Sequence, residues 1–339
     1  MTFRVRAARN DDFPAIYEMA KLTGGGFTNL PPDKGALVEK LLRSEQAFAS
    51  DADEPGDHLF LFVLENVDTG QIRGTCQLFS RIGVESPFYS YRITTLTQTS
   101  KALDRTFRAE LLNLVTDFEG CSEVGGLFLH PQERAGGLGL LLARSRYMFM
   151  KLHRRRFADR VVAELRGVID ESGGSPFWDG IAGRFFGMDF RQADEFNATH
   201  GTQFIADLMP KTPIYTAMLP ESARSVMGVP HPSGRAAMKM LEREGFAWDC
   251  YIDIFDGGPT MTARTDQIRT VATAEEEPLA EVGDVEGGQP MLVATGKLSG
   301  FAACHARVRM LAEGGVVLEP QTASMLGLSP GDALLAAPR

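Results

Sequence analysis

The most chemically suggestive stretch of the chain is LFLHPQERAGGLG, residues 127–139. A strand-like apolar run ends before Pro131, and Arg134-x-x-Gly137-x-Gly139 then opens an apolar helical pattern. The first amides of a helix have no partners within the helix, and the positive end of the helix dipole favours an anion. Glycines let an anion approach the backbone closely. The spacing therefore predicts a strand-to-helix turn that binds a phosphate or pyrophosphate group.

Two other phosphate-binding turns do not fit these residues. No GxxxxGK[ST] pattern occurs, so the turn is not a Walker loop. Leu142 stands where the dinucleotide pattern GxGxxG needs its last glycine. A glycine-rich turn that holds no ligand remains the alternative for an isolated match.

A second candidate for chemistry is His231, in the run VPHP. Because the ordinary pKa of histidine is about 6.5, His231 can carry a proton for a leaving group near neutral pH. A loop or cap residue is the alternative for a histidine before proline. No HExxH pattern or paired-ligand spacing occurs, so no metal is expected. The lack of a GxSxG elbow argues against an acyl-serine intermediate and for direct transfer.

The composition limits the class of partner. The 339 residues are 44% hydrophobic, which is enough for one large core or two modest ones, and two domains are expected. A formal charge of −9 disfavours nucleic acid and anionic membranes as partners. The four cysteines form no CxxC pair and are expected to be buried thiols. With no secretory signal and no apolar run of membrane-spanning length, the expected location is the cytoplasm.

Hydrophobic periodicity indicates which elements position these residues. The predicted elements are a strand at 3–8, helices after Asp12 and Pro32, β-rich runs at 59–66, 71–83 and 88–97, a possible short helix at 106–118, strands at 124–129 and 161–165, and a helix from Leu138 to about Arg155. Antiparallel strands thus precede the strand that ends at the phosphate turn.

The remaining segments are less regular. Residues 191–234 look like an insertion of short elements, and a helix ending at Gly245 precedes a strand through Ile254. The acidic and glycine-containing run from Glu275 to Pro290 looks like a linker. Short β-prone runs beyond it indicate a small barrel or curled sheet at about 280–339.

Several long blocks, taken together and in order, resemble the arginine N-succinyltransferase family. They are TGGGFTNLP at 23–31, FYSYRITTL at 88–96, LFLHP at 127–131, SRYMFM at 145–150, VVAELRGVIDESGGSPFW at 161–178, RFFGMDF at 184–190, LMPKTPIYT at 208–216 and YIDIFDGGPT at 251–260. The strand and its RxxGxG turn also resemble the acyl-CoA-binding motif of the GCN5-related N-acyltransferase superfamily. The resemblance covers nearly the whole chain.

The resemblance implies an α+β fold of the GCN5-related N-acyltransferase type, with a mixed, mostly antiparallel, splayed sheet flanked by helices. The thioester lies between the two splayed strands in that fold. We expect this acyltransferase domain at 1–270 and an extra small all-β, barrel-like subdomain at 280–339. The expected cofactor-binding residues are Leu127, Phe128, Leu129, Arg134, Gly136, Gly137, Leu138 and Gly139.

The implied reaction transfers succinyl from succinyl-CoA to the α-amino group of L-arginine, giving N2-succinylarginine and CoA in arginine catabolism. The family's proton-donating histidine corresponds to His231, and a residue that contacts succinyl-CoA corresponds to Leu127. His130 departs from the acidic residue that the family often has there. Some members are paired paralogous subunits that also accept ornithine, so a homodimer is expected, with a paralogous partner as the alternative.

An arginine acceptor requires carboxylates for its guanidinium group. Glu164, Asp170 and Glu171 follow the strand that is expected to splay, and they are the candidates. The alternatives are a strand-face ion pair for Glu164 and a solvated loop for the other two.

Both substrates also carry a carboxylate, so basic donors are required. Arg92 and Arg166 are the nearest candidates by motif position, and Asn29 with the Gly24–Gly26 loop could shape the acceptor pocket. Three functions remain open: an active succinyltransferase, a catalytically silent partner subunit, and a non-enzymatic metabolite sensor that uses the C-terminal barrel. The phosphate turn together with His231 favours the first.

Overall fold

Apolar runs in the sequence form a mixed sheet with helices on its faces in the computed structural model, which describes residues 2–23, 29–134, 136–200 and 203–339. The strands are β1 (Phe3–Ala7), β2 (Leu59–Asn66), β3 (Ile72–Phe79), β4 (Ser90–Ser100), β5 (Arg105–Val115), β6 (Ser122–Leu129), β7 (Arg160–Glu164), β8 (Ile214–Tyr215), β9 (Ala247–Ile252), β10 (Pro259–Arg264), β11 (Glu275–Val282), β12 (Gln289–Thr295), β13 (Ala302–Met310), β14 (Val316–Leu318) and β15 (Ala333–Pro338). The helices are α1 (Phe13–Lys21), α2 (Lys34–Ala49), α3 (Leu138–Leu152), α4 (Pro176–Gly180), α5 (Gly183–Phe186), α6 (Phe190–His200), α7 (Gln203–Leu208), α8 (Glu221–Arg224), α9 (Arg235–Arg243), α10 (Arg269–Thr273) and α11 (Pro320–Leu326).

The described strands form one sheet in the order β12-β15-β11-β14-β13-β1-β2-β3-β6-β7-β10-β9-β4-β5-β8. The β6–β7 and β11–β14 pairs are parallel, and the other described pairs are antiparallel. An α+β chain with a mostly antiparallel sheet is therefore confirmed.

Strand β2 shows why the centre of the sheet is apolar on both faces. Leu61 and Val63 pack with α1 and α2, whereas Phe60, Phe62 and Leu64 pack on the face that α3 covers. A strand covered on both sides reads as a continuous apolar run because neither set of alternating side chains meets water. This packing fixes α2 on one face of β6 and α3 on the other.

Two segments differ from their predicted structure. Residues 106–118 form no helix, because β5 pairs with β4 along its whole length, from Ser90 opposite Val115 to Ser100 opposite Arg105. The acidic run at 275–277 is the start of strand β11, not a linker, and it pairs with β15. Tertiary pairing overrides local propensity in both segments.

The C-terminal segment is not all-β, which corrects the prediction. Strands β11 to β15 close into a ring through the additional β12–β13 pairing, and α11 packs Ala323 and Leu326 into its core. The sheet also continues into the rest of the molecule, because Val5 of β1 pairs with Ala303 of β13. Phe301 lies within 5.2 Å of Phe149 of α3, measured between ring centroids.

None of the helices in the described parts of the chain is long and apolar enough to cross a membrane.

Candidate active site

The sheet splits where β6 meets β7. These parallel strands pair only over residues 122–123 of β6 and 161–162 of β7. Beyond that point β6 follows β3, with a register shift that involves Gly125 and Phe128, and β7 follows β10. We call the gap between residues 124–129 of β6 and residues 163–166 the fork. Within the described chain, no strand fills it.

The edge of β6 at the fork carries three predicted cofactor-binding residues. Leu127 and Leu129 pack against the core on the α3 face, whereas Phe128 is buried with α1 and α2 on the other face. Arg146 of α3 donates to Gly125 O at 3.1 Å and so ties the helix to this edge. The strand is thereby held in place without a ladder partner on its fork side.

The predicted strand-to-helix turn follows β6 directly. Gly137 is the N-cap of α3 at φ +81°, and Gly136 has φ +71°. Glycine adopts this left-handed region without the steric cost of a Cβ atom. A Cβ atom on Gly136 would meet no other atom within 4 Å, so the backbone is open to a ligand there. The amides of Leu138 and Gly139 lie in the first turn, where a helix provides no internal acceptor.

Arg73 of β3 holds the segment that leads into this turn. Its guanidinium group donates to Glu133 Oε1 at 3.0 Å and to Gln132 Oε1 at 2.8 Å, and it lies 3.0 Å from His130 Nδ1. Burial and then the charge of Arg73 lower the pKa of His130. Arg134 is exposed at the end of the segment.

A cavity of about 290 Å³ opens beside the turn. Gly136 and Leu138 line it from the turn, and His305, Arg307 and Arg339 line it from the C-terminal segment. Arg339 Nη2 donates to Gly136 O at 3.2 Å. An anion bound at the turn would therefore have a second cationic group beside it.

A polar cluster that the sequence analysis did not identify lies at the β6 side of the fork. Lys40 Nζ donates to Asn29 O at 2.5 Å and to Gln77 Oε1 at 3.2 Å, and Gln77 Nε2 donates to Asn29 Oδ1 at 2.5 Å. A Cβ atom on Gly125 would lie 3.1 Å from Asn29 Nδ2 and 3.3 Å from Glu123 Oε1. Asn29, predicted for the acceptor pocket, is thus placed beside the fork.

Lys40 and Glu123 shift each other's ionisation in this cluster. Burial raises the pKa of Glu123 to about 7, although the charge of Lys40 opposes the shift. Burial lowers the pKa of Lys40 to about 8. The signal that could have revealed Glu123 is a charged residue at the start of an otherwise apolar strand.

The β7 side of the fork presents Glu164 and Thr260. They stand directly opposite each other in the β7–β10 register, so their side chains share one face of the sheet. Glu164 Oε1 and Thr260 Oγ1 are buried without a hydrogen-bond partner, and Thr260 is 0% exposed. Burial, then Asp253, Glu123 and Asp256, raise the pKa of Glu164 well above its ordinary value.

The two aspartates near Glu164 are used to hold a loop. Asp253 Oδ1 accepts from the amides of Phe255 at 2.6 Å and Asp256 at 2.9 Å. The Asp256 carboxyl group accepts from the amides of Gly167 and Gly258, each at 2.8 Å. These bonds join the loop after β7 to the loop before β10. Sequence reasoning missed both aspartates because their spacing matches no ligand motif.

His231 lies against the same end of β7. Its amide donates to Arg166 O at 2.7 Å. The amide of Ser233 donates to His231 Nδ1 at 3.2 Å, which leaves Nε2 as the nitrogen that carries hydrogen in the neutral ring. Burial and then the charge of Arg166 lower the pKa of His231. The structure therefore brings together His231, Arg166 and Glu164.

Three other predicted substrate-binding residues lie elsewhere. Arg92 is half exposed, with its Nη1 3.7 Å from Asp117 Oδ2 and its guanidinium carbon 5.4 Å from the centroid of the Tyr251 ring. Arg92 is thus on the part of β4 beside β9, away from the fork.

Asp170 and Glu171 are both exposed in the loop after β7. Asp170 Oδ1 accepts from the amides of Ser172 and Gly174, each at 2.8 Å, and so stabilises its own loop. The Gly24–Gly26 loop lies outside the described residues. Within the described ranges, no group of three or more His, Cys, Asp or Glu side chains is arranged to hold a metal ion.

Comparisons with known proteins agree along the whole chain. The model of the arginine N-succinyltransferase beta subunit matches residues 3–270, and that of its C-terminal domain matches residues 270–338. The arginine N-succinyltransferase subunit beta of Pseudomonas aeruginosa is 39% identical over 334 residues, which are 98% of this chain and 97% of that protein. The arginine N-succinyltransferase of Salmonella schwarzengrund is 41% identical over 304 residues, which are 89% of this chain and 88% of that protein.

A solved structure agrees as well. The structure of arginine/ornithine succinyltransferase subunit AI from Pseudomonas aeruginosa superposes with a TM-score of 0.89 at 32% sequence identity, covering 99% of this chain and 98% of that chain. With the fork, the phosphate turn and His231 in one molecule, and with these matches from end to end, the chain belongs to the arginine N-succinyltransferase family.

Proposed function

We propose that the chain transfers succinyl from succinyl-CoA to the α-amino group of L-arginine, giving N2-succinylarginine and CoA by direct aminolysis. The observation that carries this proposal is the fork between β6 and β7, which has an open phosphate-type turn after β6 and proton-transfer groups on both sides. Family membership supports the acyltransferase activity and the arginine acceptor. In this proposal the protein is cytoplasmic and works as a homodimer, with pairing to a paralogous subunit as the alternative.

The donor's charged end fits the turn before α3. The first-turn amides of Leu138 and Gly139, for which a helix provides no internal acceptor, suit a pyrophosphate, and a Cβ atom on Gly136 would meet nothing within 4 Å. Arg134 precedes the turn, and Arg339 reaches it across the cavity through its bond to Gly136 O, so both can supply positive charge there. In this proposal the acyl end of the donor lies along Leu127, Phe128 and Leu129.

Glu123 is suited to take a proton from the acceptor amine. Aminolysis requires a neutral amine, and a carboxyl group with a pKa of about 7 is a usable base near neutral pH. The hydrogen bonds described above fix the side chains around this carboxyl group, which are those of Asn29, Lys40 and Gln77. The amine nitrogen then forms a bond to the succinyl carbonyl carbon, and the carbon–sulfur bond breaks.

His231 is suited to return a proton to the departing sulfur. Its Nδ1 accepts from Ser233, so hydrogen on Nε2 faces away from that loop. A lowered pKa makes the protonated ring a stronger acid, which favours donation to a thiolate. The α-ammonium group of arginine first loses one proton to solvent to become the neutral amine, and the amine loses a second proton to Glu123 as the carbon–nitrogen bond forms. The sulfur receives one proton from His231, so the products are the amide, the CoA thiol and one proton in solution.

The test is the release of free CoA thiol from succinyl-CoA with arginine as the varied substrate. We expect saturable, arginine-dependent thiol release and a product whose mass equals arginine plus a succinyl group. A flat arginine titration by the chain alone would contradict the proposal.

A silent partner subunit is the second candidate, because the similar proteins of Pseudomonas aeruginosa are described as subunits. That candidate predicts CoA binding without turnover until a second chain is added. The same thiol-release assay, with ornithine in place of arginine, tests whether ornithine is also an acceptor.

A further inference from the structure

The fork contains more buried carboxyl groups than cations. Burial raises the pKa values of Glu123, Glu164, Asp253 and Asp256, and the charges of neighbouring acids in this group raise those of Glu164 and Asp256 further. Lys40 compensates Glu123 alone, from the β6 side. Among the ion pairs of the described residues, none involves the other three acids.

Of the three unpaired acids, only Glu164 has a free buried oxygen. The aspartates accept hydrogen bonds from backbone amides, as described above. Among the residues that the structure describes, Glu164 Oε1 has no hydrogen-bond partner, and neither does the hydroxyl of Thr260 opposite it. A native protein rarely leaves two neighbouring polar atoms buried and unbonded, because each costs free energy unless a ligand or water satisfies it.

We propose that Glu164 and Thr260 form the subsite that binds the guanidinium group of the acceptor. The inference rests on the proposed function, since it assumes that arginine is the acceptor. A guanidinium group has five N–H donors and no acceptor, so it matches a carboxylate oxygen and a hydroxyl oxygen on one face of the sheet.

In this subsite Glu164 binds the guanidinium group of the arginine substrate and not its α-ammonium group. The α-amino group must lose its proton before it attacks the thioester, so a carboxylate that held it as a cation would oppose the reaction. The guanidinium group stays charged throughout because its pKa lies above 12. Glu123, on the other side of the fork, is left for the α-amino group.

The experiment compares L-arginine with L-citrulline, in which a neutral ureido group replaces the guanidinium group. Thiol release is measured with both acceptors for the unmodified protein and for the variants Glu164→Gln and Thr260→Val. Glu171→Gln is the matched control, because Glu171 is an exposed carboxylate in the loop after β7.

We expect Glu164→Gln to lower kcat/KM for arginine by about tenfold or more, as for the loss of a hydrogen bond to a charged group. The KM for succinyl-CoA and kcat/KM for citrulline should change little, so the preference for arginine falls. Thr260→Val should produce the same pattern more weakly, and Glu171→Gln should behave as the unmodified protein.

An equal loss with both acceptors would overturn the inference, because Glu164 would then serve a group that they share. An unchanged preference for arginine would overturn it as well. If thermal melting shows that Glu164→Gln is unfolded, the preference of Thr260→Val for arginine over citrulline decides between the same outcomes. If the unmodified protein transfers no succinyl to arginine, the proposed function fails first, and this outcome is distinguishable from a failure of the subsite.

Discussion

At the scale of single residues, two proton transfers belong to groups on different sides of the fork in the proposed reaction. Glu123 is buried beside Lys40 on the β6 side, and His231 lies against Arg166 on the β7 side. Sequence reasoning identified His231 through the family resemblance, but it missed Glu123. A buried carboxyl group is recognisable only when the burial is known, because its effect depends on the desolvation and the neighbours that the fold supplies.

Glu123→Gln tests the base. Glu123 must be ionised to accept a proton while His231 must be protonated to donate one, so the kcat of the unmodified protein should pass through a maximum with pH, and protonation of Glu123 produces the acidic limb. We expect the variant to lose about 10²-fold or more in kcat and to lose this acidic limb. The check is a pH–rate profile, with Glu286→Gln on the exposed C-terminal surface as the control. A variant that keeps the limb would assign the titration to another group.

His231→Ala tests the acid. Turnover should fall by about 10²-fold because the thiolate loses its proton donor, while CoA affinity stays nearly unchanged. Ser233→Ala removes one partner of His231 Nδ1 and should have a smaller effect. Steady-state kinetics and CoA binding by calorimetry measure the two quantities. A large loss of CoA affinity in His231→Ala would instead indicate a structural role.

At the scale of secondary-structure elements, the predictions were accurate where a local signal exists. The strand, turn and helix of β6 and α3 follow from apolar periodicity and paired glycines, and β7 follows from its apolar run. The structures of β5 and β11 differ from the prediction because each depends on pairing: β5 forms a hairpin with the preceding strand β4, and β11 pairs with β15, which is distant in sequence. The roles of Asp253, Asp256 and Thr260 likewise depend on the β7–β10 register, which the sequence does not specify.

Gly137→Ala tests the turn before α3. The substitution places a Cβ atom at φ +81° and 2.8 Å from Arg339 Nη2, so both the backbone and the neighbour must shift. We expect the KM for succinyl-CoA to rise by about tenfold, because the substitution introduces about 1–2 kcal/mol of backbone strain in the donor site. The KM for arginine should stay constant. Gly300→Ala is the control, because a Cβ atom there meets nothing within 4 Å and φ is ordinary. Equal effects on both substrates would argue against a donor site at this turn.

At the scale of the whole molecule, the division into an acyltransferase domain at 1–270 and a subdomain at 280–339 stays a prediction. Sheet and core are continuous between the two segments, because β13 pairs with β1 and Phe301 packs against Phe62 and Phe149. Arg339 reaches the turn before α3 from the C-terminal side. The C-terminal segment is thus built into the donor end of the site, which disfavours a separate sensor role for it.

Phe301→Ala tests this shared core. The ring is 1% exposed, and its removal should lower the free energy of unfolding by about 3–5 kcal/mol. Because the core is common, we expect one cooperative transition in urea, with tryptophan fluorescence and far-ultraviolet circular dichroism giving the same midpoint. Trp178 and Trp248 both lie before residue 270, so the fluorescence reports the N-terminal segment. Two separate transitions in urea, with a shifted midpoint by circular dichroism but not by fluorescence, would contradict a common core.

The most direct test of the central claim is a crystal structure of the protein with CoA bound. The account predicts the diphosphate on the amides of Leu138 and Gly139, and the sulfur in the fork between Gly125 of β6 and Glu164 of β7. A diphosphate bound away from these two amides would contradict this assignment.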